Sequence, residues 1–587
     1  MTSVSSHDVT GTGRAILPAS AVPGAHQSAN KFFSTPETPV LIVGGGPIGV
    51  TCGILLARYG IRNTIIEKHA NGLDLPKAHV LGSRTLEIFR QAGFDIHRLR
   101  KIGSNPEDSG LVRFATSLIG YELGKIIIGS DSKEDLAFTP ESLANVPQPR
   151  LEDYLYEVAA QTGFITLWRG IEWRSSSVNS NGLEESILFN RRTLNTIRMQ
   201  SKYLLACDGA NASSRLKLDI PFPDLPGQPV IKTHYVTVYF EADMSHLSSG
   251  ILFFIISPSR IGTFIAYDRA STWAFVMIYD PANTPASVFT DDYCRSAIAT
   301  AIGKPIPFKI LSTTIWSTHP RVAKQYRSST HPNAFLLGDA AHTFPPTGGL
   351  GLNTGIADAH NLAWKIFAAE NSWTTDACRL LDSYQSERRP VALANAQQSY
   401  VNQRALAELV EFILSIVGGV ESPITDSQSL DMLEKAVLKN KSHFQAIGLD
   451  IGYVYGQEPD GILPVGEYVP GCFPGARLPH AWVKVGAETR STLDLADGHS
   501  FLVLATRGFA SAESLPLVCN LGPRRIPVKT FRLGVDFFDS EGRWSKLMNM
   551  NVNETAILVR PDQHIVCQAQ DMNRLTEELY AYLDFSR

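Results

Sequence analysis

Gly44, Gly46 and Gly49 follow an apolar run, Val40-Leu-Ile-Val43, and precede residues (Val50, Ile54, Leu55) that fall into a helical period. A strand that turns through glycines into a helix gathers backbone N–H groups and the positive end of the helix dipole at one point, which suits a pyrophosphate. The Gly-x-Gly-x-x-Gly spacing alone is weak evidence. It gains weight from Glu67, which closes a second strand expected over Asn63 to Glu67. A dinucleotide site needs a carboxylate about twenty residues on, to accept from the ribose hydroxyls. The expected ligand is an adenine dinucleotide.

Two more glycine-centred segments lie far downstream: Cys207-Asp208-Gly209, and Gly338-Asp339-Ala-Ala-His342-Thr-Phe344-Pro345-Pro346-Thr-Gly348-Gly349-Leu-Gly351-Leu352-Asn353. The second repeats the logic of strand, glycine loop and helix, since Ala334 to Leu337 is apolar and Leu350 to Ala368 is helical in period. A second anionic or electron-rich group therefore belongs at a second helix start, and NAD has no isoalloxazine to place there. With these motifs in this order, the chain resembles the class A FAD-dependent aromatic hydroxylases, in particular the phenol and 2,4-dichlorophenol hydroxylase branch. Arg84-Thr-Leu-Glu-Ile-Phe89, Gln148-Pro-Arg-Leu-Glu152, Tyr384-Gln-Ser-Glu387-Arg388-Arg389-Pro390 and Pro474-Gly-Ala-Arg477-Leu-Pro479-His480-Ala-Trp482 extend the likeness over residues 38 to 570.

The resemblance implies an α/β fold: a Rossmann-like FAD-binding domain of the para-hydroxybenzoate hydroxylase type, a β-sheet substrate domain and a C-terminal thioredoxin-like domain. On this chain the divisions fall at 1–37 (a disordered, polar tail), 38–220 (FAD-binding domain, first part), 221–318 (substrate-binding β layer), 319–457 (FAD-binding domain, second part, and a helical region) and 458–587 (thioredoxin-like). The C-terminal unit lacks a Cys-x-x-Cys pair, so its expected role is structural or dimer-forming rather than dithiol chemistry. The implied activity is hydroxylation of a phenolic or polyketide-like aromatic substrate through a flavin C4a-hydroperoxide. FAD is the noncovalent cofactor, NADPH or NADH the transient reductant and O2 the cosubstrate. Epoxidation, Baeyer–Villiger oxygen insertion and flavin binding without turnover stand as alternatives.

Site residues follow from the same resemblance. Gly44, Gly46, Gly49 and Glu67 hold the nucleotide half of FAD, and Lys77 also contacts the cofactor. Gln148 and Asp339 face the ribityl chain, and Asp208 with Arg215 supports that region from behind. Pro346, Gly349, Gly351, Leu352 and Asn353 open a helix whose N–H donors suit the pyrimidine end of the flavin, anionic when reduced. Ala212 stands where the family commonly has Ser. Phe254, Phe264, Tyr267 and Trp273 are the expected substrate contacts, in a layer that must exclude water. Where the branch carries an Asp in Arg-Ala-Asp-Gly, this chain reads Lys77-Ala78-His79-Val80. An imidazole with an ordinary pKa near 6.5 accepts a phenolic proton and an ammonium stabilises the phenolate, so His79 and Lys77 are the candidate catalytic residues. Tyr267 and Tyr279 come next.

Bulk properties set the remaining limits. A net charge of -4 and a pI near 6.4 give no long-range attraction for nucleic acid. The longest apolar stretches fall far short of the roughly twenty residues of a membrane span. The seven cysteines are scattered, with neither disulfide nor metal-ligand spacing. The expectation is a cytoplasmic protein without a bound metal, acting on a small molecule, with a homodimer left open.

Overall fold

The computed structural model describes residues 36–72, 78–128, 135–229, 232–417, 426–457, 465–506, 509, 518–521, 524–547 and 555–584. The principal elements of the first part are β1 (Glu37–Val43), α1 (Pro47–Arg58), β2 (Asn63–Glu67), α2 (Ser83–Gln91), β3 (Leu111–Ala115), β4 (Glu122–Ile127) and α3 (Gln148–Thr162). Then come β5 (Ile165–Arg169), β6 (Ile171–Val178), β7 (Glu184–Asn190) and β8 (Thr196–Ala206). The middle of the chain supplies β9 (Thr233–Glu241), β10 (Leu252–Ser257), β11 (Arg260–Asp268), β12 (Thr272–Tyr279), α4 (Asp291–Ile302), β13 (Lys309–Thr318) and β14 (Ala334–Leu336). Three long helices follow, α5 (Leu350–Glu370), α6 (Ala377–Val417) and α7 (Ser427–Leu438).

The first sheet runs β5-β2-β1-β8-β7-β6, with β14 also on β8. Val40 to Val43 are buried on both sides, as an unbroken apolar run in the middle of a helix-covered parallel sheet should be. β5, β2, β1, β8 and β14 pair in parallel, while β7 and β6 fold back antiparallel.

The second sheet runs β13-β9-β12-β11-β10-β3-β4. Its two faces differ. Val236, Val238, Phe240, Phe253, Phe264, Trp273 and Phe275 point to one side and form a core with Cys294, Ala297, Ile298, Ala301 and Ile302 of α4. Those five recur at helical spacing, Thr290 caps the helix by accepting from Tyr293 N, and Gly303 ends it at φ +89°. The opposite face carries Tyr235, Thr237, Tyr239 and Tyr267, and beyond them Phe254, which α6 and α7 cover with Leu409, Ile413, Leu433 and Val437.

Two features add to the expected layout. Between Ala92 and Gln148 the β3–β4 hairpin joins the second sheet through a parallel pairing of β3 with β10. Within 221–318, α4 provides the backing that a sheet apolar on both faces requires. The C-terminal unit holds β15 (Phe501–Ala505), β16 (Val518–Leu521), β17 (Ile526–Arg532), β18 (Ala556–Val559), β19 (Ile565–Ala569) and α8 (Met572–Asp584), in sheet order β16-β17-β15-β18-β19. Leu575, Leu579 and Leu583 pack the last helix onto this sheet, and the shared core continues into Trp364, Trp373 and Leu380.

Candidate active site

Four neighbouring parallel strands end side by side. Val43 pairs with Ile66 and with Ala206, and Ala206 pairs with Leu336. The next residues are Glu67, Gly44, Cys207-Asp208 and Leu337-Gly338, so all the glycine motifs meet on one line at the carboxyl edge of the sheet, the place where open α/β sheets bind ligands. Backbone bonds fix that line: Gly44 N to Ile66 O at 2.8 Å, Cys207 N to Val43 O at 2.8 Å and Leu337 N to Ala206 O at 3.0 Å.

The first loop fits a pyrophosphate. Gly44, at φ +110°, would place a Cβ 2.3 Å from Cys207 O, and Gly49 would place one 2.0 Å from Gly44 O, so both positions exclude a side chain. At Gly46, which caps α1, a Cβ would meet nothing within 4 Å: the helix start faces open space. Glu67 accepts from Gly45 N and His69 N, 2.9 Å each, one through each oxygen, which leaves lone pairs for ribose hydroxyls. Asp208 serves its own motif. Its carboxylate accepts from Ser214 N (3.1 Å) and Ser214 Oγ (2.5 Å) and so caps the short helix Ser213–Lys217 in place of the missing Ser at Ala212. Arg215 ties this motif to the next by donating to Ala340 O at 2.7 Å.

In the third motif, Asp339 and Pro346 are exposed. Gly349 caps α5 at φ +64°, a conformation an L-residue resists. The first-turn N–H groups after it, Leu350 to Leu352, have no partner within the helix ladder. Above Gly351 a Cβ would meet only Asp339 Oδ1 at 3.7 Å and Phe344 at 4.0 Å. This is a second open helix start, suited to an electron-rich group. The Asn353 side chain is fully occupied by protein: Oδ1 accepts from Gly82 N (2.8 Å) and Thr85 Oγ1 (2.7 Å), and Nδ2 donates to Val80 O (3.1 Å) and Gly349 O (2.8 Å). It holds α2 against α5 and has no capacity left for a ligand. Gln148 donates to Glu152 at 2.8 Å in the first turn of α3.

His79 lies beside this loop, next to Val80, whose Cβ would be 3.1 Å from a Cβ on Gly349. Its Nδ1 is 2.9 Å from Asn145 Oδ1, and Asn145 Nδ2 in turn donates to Ser109 O. Because the amide oxygen can only accept, Nδ1 carries the hydrogen and Nε2 keeps its lone pair. Burial pushes the imidazole down to about 4, the Asn145 bond resisting this, so the ring is neutral near pH 7. Tyr267 meets His79 edge-on at 5.7 Å, and burial raises its hydroxyl well above the ordinary phenol range. Lys77 lies outside the described residues.

Of the expected substrate contacts, Tyr267 alone stands next to His79. Phe264 and Trp273 must be corrected: both point to the other face, fully buried against α4. Phe254 is on the Tyr267 face but stacks on Phe114 at 5.0 Å under α6 and α7. Tyr279 packs edge-on to Phe289 beside α4. Sequence reasoning missed Asn145, which no local pattern marks, and Asp358, which follows the third motif on α5. Asp358 accepts from His342 Nε2 (2.9 Å) and Arg388 Nε (2.8 Å), with all three side chains buried.

A family model described as "FAD binding domain" matches residues 37–399, and one described as "Aromatic-ring hydroxylase, C-terminal" matches residues 472–584. The chain is 29% identical to the 2,4-dichlorophenol 6-monooxygenase of Cupriavidus pinatubonensis, over 92% of this chain and 94% of that protein. It is 30% identical to a putative polyketide hydroxylase of Streptomyces halstedii, over 91% and 94%. Among solved structures it resembles the flavin-dependent monooxygenase PieE in complex with FAD and substrate, with a TM-score of 0.82, 27% identity and coverage of 94% and 99%. The rebeccamycin biosynthetic enzyme RebC with reduced flavin gives 0.79 at 26% identity, with coverage of 94% and 99%.

Proposed function

We propose, since this chain belongs to the FAD-binding-domain family of aromatic-ring hydroxylases, that it is a monooxygenase in which His79 accepts the proton of a phenolic substrate. Bound FAD, reduced by NAD(P)H, supplies the chemistry that activates O2 and delivers one oxygen atom to the ring. The protein binds, orients, excludes water and moves a proton. The Gly46 and Gly351 helix starts hold the pyrophosphate and the pyrimidine end, Glu67 takes the ribose, and Asp339 takes the ribityl chain. Deprotonation makes the ring electron-rich enough to attack oxygen, and a neutral imidazole whose Nε2 lone pair is set by Asn145 is suited to receive that proton. The hydrogen-bond chain from His79 Nδ1 to Asn145 Oδ1 and from Asn145 Nδ2 to Ser109 O, which sets this tautomer, is the observation that carries the reading.

The face bearing Tyr235, Thr237, Tyr239 and Tyr267 forms the substrate wall. Thr263, Ile265 and Val276 stay partly open there although they lie on central strands, and Tyr235 stacks on Trp316 at 4.3 Å at the far edge. From β11 to β13 this wall spans three strand spacings, about 14 Å. That length favours a flat substrate of several fused rings, in keeping with the polyketide-like class.

We take the domain division at residues 37, 220, 318 and 457 as the working one, with the β3–β4 hairpin assigned to the substrate layer. The C-terminal unit reads as thioredoxin-like: β15 and β17 parallel, β18 and β19 antiparallel and a closing helix α8 support it, and without a redox cysteine pair its role is structural. A cytoplasmic homodimer is the proposed state. Among the described residues no helix is long and apolar enough to cross a membrane. The test is His79→Ala, assayed over simple and fused-ring phenols for product formed per NAD(P)H consumed. FAD binding should persist while the ratio falls and hydrogen peroxide rises, since removal of a general base costs about a hundred- to ten-thousandfold. Wild-type coupling in the variant refutes the assignment. Product analysis separates ring hydroxylation from epoxidation or Baeyer–Villiger insertion.

A further inference from the structure

The turn between β18 and β19, Arg560-Pro-Asp562-Gln563-His564, is buried between α2, α5 and α6 rather than exposed at the end of its own unit. Arg560 grips Glu387 of α6 with both terminal nitrogens, at 2.8 and 2.9 Å, and Lys365 and Asn361 of α5 converge on the same carboxylate. The next residue on α6, Arg388, donates to Asp358, and Asp358 accepts from His342 and, at 3.2 Å, from Gly338 N. Tyr455 joins the two halves: its ring stacks on His564 at 4.2 Å and lies 5.0 Å from the Arg560 guanidinium, and its hydroxyl accepts from Arg388 at 3.4 Å. A second branch starts at the same turn. Arg84 of α2 donates to Asp562 O (2.8 Å) and Gln563 Oε1 (2.6 Å), and the α2 start is held by Asn353 in the first turn of α5.

We propose that this turn is a positioning element of the flavin site. It acts through Glu387, Arg388 and Asp358 on the Gly338–His342 end of the flavin loop, and through Arg84 and Asn353 on the other end. Docking alone does not call for such a network, because the apolar core around Trp364, Trp373 and Phe501 already joins the units. Buried ion pairs replaced by apolar groups often leave stability unchanged, so a chain of them is better suited to fixing register than to adding adhesion. The C-terminal unit thereby completes the flavin site without touching the ligand.

The inference rests on FAD binding, so wild-type apo-protein is titrated first; failure there removes the functional reading itself. Full-length Arg560→Lys, which keeps charge but loses the two-pronged grip, and Asp358→Asn are then titrated with FAD, with the bound-flavin absorption spectrum and the apo melting temperature recorded. Each should weaken FAD about tenfold and shift the spectrum, and the double variant should be little weaker than the worse single, because both cuts interrupt one chain. Glu387→Gln, equal in volume, takes the place of any variant that fails to fold. Folded variants with wild-type FAD affinity and spectrum overturn the proposal, and so do single effects that simply multiply in the double. A lowered apo melting temperature with unaltered flavin binding assigns the turn to docking only and overturns it as well.

Discussion

Gly46 and Gly49 stand three residues apart in one motif, yet alanine at each should do opposite things. At Gly46 the backbone has φ -73°, ordinary for any residue, and the added methyl points into open space. Alanine caps a helix less well than glycine, by about 0.5–1 kcal/mol. It also restricts the unfolded chain, which returns about 0.4–1 kcal/mol. The apo-protein of Gly46→Ala should thus melt within a degree or two of wild type. Its methyl, however, occupies the space in front of the α1 N–H groups. Loss of one charge-assisted hydrogen bond to a phosphate costs roughly 1.5–3 kcal/mol, which weakens FAD about ten- to a hundredfold. At Gly49 the methyl would lie 2.0 Å from Gly44 O, so the loop or the helix must move. Overpacking of this kind costs typically 1–3 kcal/mol, and Gly49→Ala should lower the apo melting temperature itself. Thermal melts of both apo-variants, with FAD titrations followed by flavin fluorescence, decide the matter. If Gly46→Ala binds FAD as wild type does, the open helix start is not where the pyrophosphate lies.

Asn145→Asp should give His79 a carboxylate partner in place of an amide and so favour the imidazolium. The kcat/KM of wild type, which reports the free enzyme, should be flat down to about pH 5, because burial holds His79 at about 4 there, whereas the variant should lose kcat/KM as pH falls through neutrality; identical profiles would remove Asn145 from the mechanism. Acid should also undo the union of the C-terminal unit with the rest. Burial would raise Glu87 and Glu387, but Arg477 with Arg84, and Arg560 with Lys365, overcome this and hold both at about 2 against an ordinary 4.5. Carboxyls depressed in the folded state contribute stability above the unfolded value and lose it as pH falls from 4.5 through 2. The melting temperature of wild type should therefore drop steeply across that window, and Glu87→Gln should be less stable at pH 7 with a shallower fall below pH 4.5.

The three glycine motifs were legible because each is local: apolar strand, glycine turn and helix occur within a dozen or so residues, and parallel pairing of β1, β8 and β14 then has one way to bring them together. Which face of the second sheet meets substrate was not legible from the aromatics, because both faces are apolar at Phe253 and Phe254, Phe264 and Ile265, Trp273 and Ala274. A signal did exist in β9. Val236, Val238 and Phe240 carry no polar atom and go to the core, whereas Tyr235, Thr237 and Tyr239 carry hydroxyls and go to the opposite face, the proposed substrate wall. Alternation tells the faces apart, and side-chain chemistry says which is which. The Asn145 bond to His79 and the Arg560 grip on Glu387 join residues far apart in sequence. No periodicity encodes such pairings, which depend on how whole elements dock.

His79 raises a question of driving force that the site itself answers. Moving a proton from an ordinary phenol near 10 to a group near 4 is uphill by about 8 kcal/mol, too much for an efficient base. The value near 4 belongs to an imidazole buried with no anion beside it. A phenolate formed within hydrogen-bond reach in the same enclosed space is such an anion, and it restores the proton affinity that burial removed, so the titration belongs to the pair and not to His79. The cost that remains is lowest for phenols already acidified by a neighbouring halogen or acyl group. In the proposed role, the low proton affinity that burial gives His79 would select substrates whose hydroxyl gives up its proton readily.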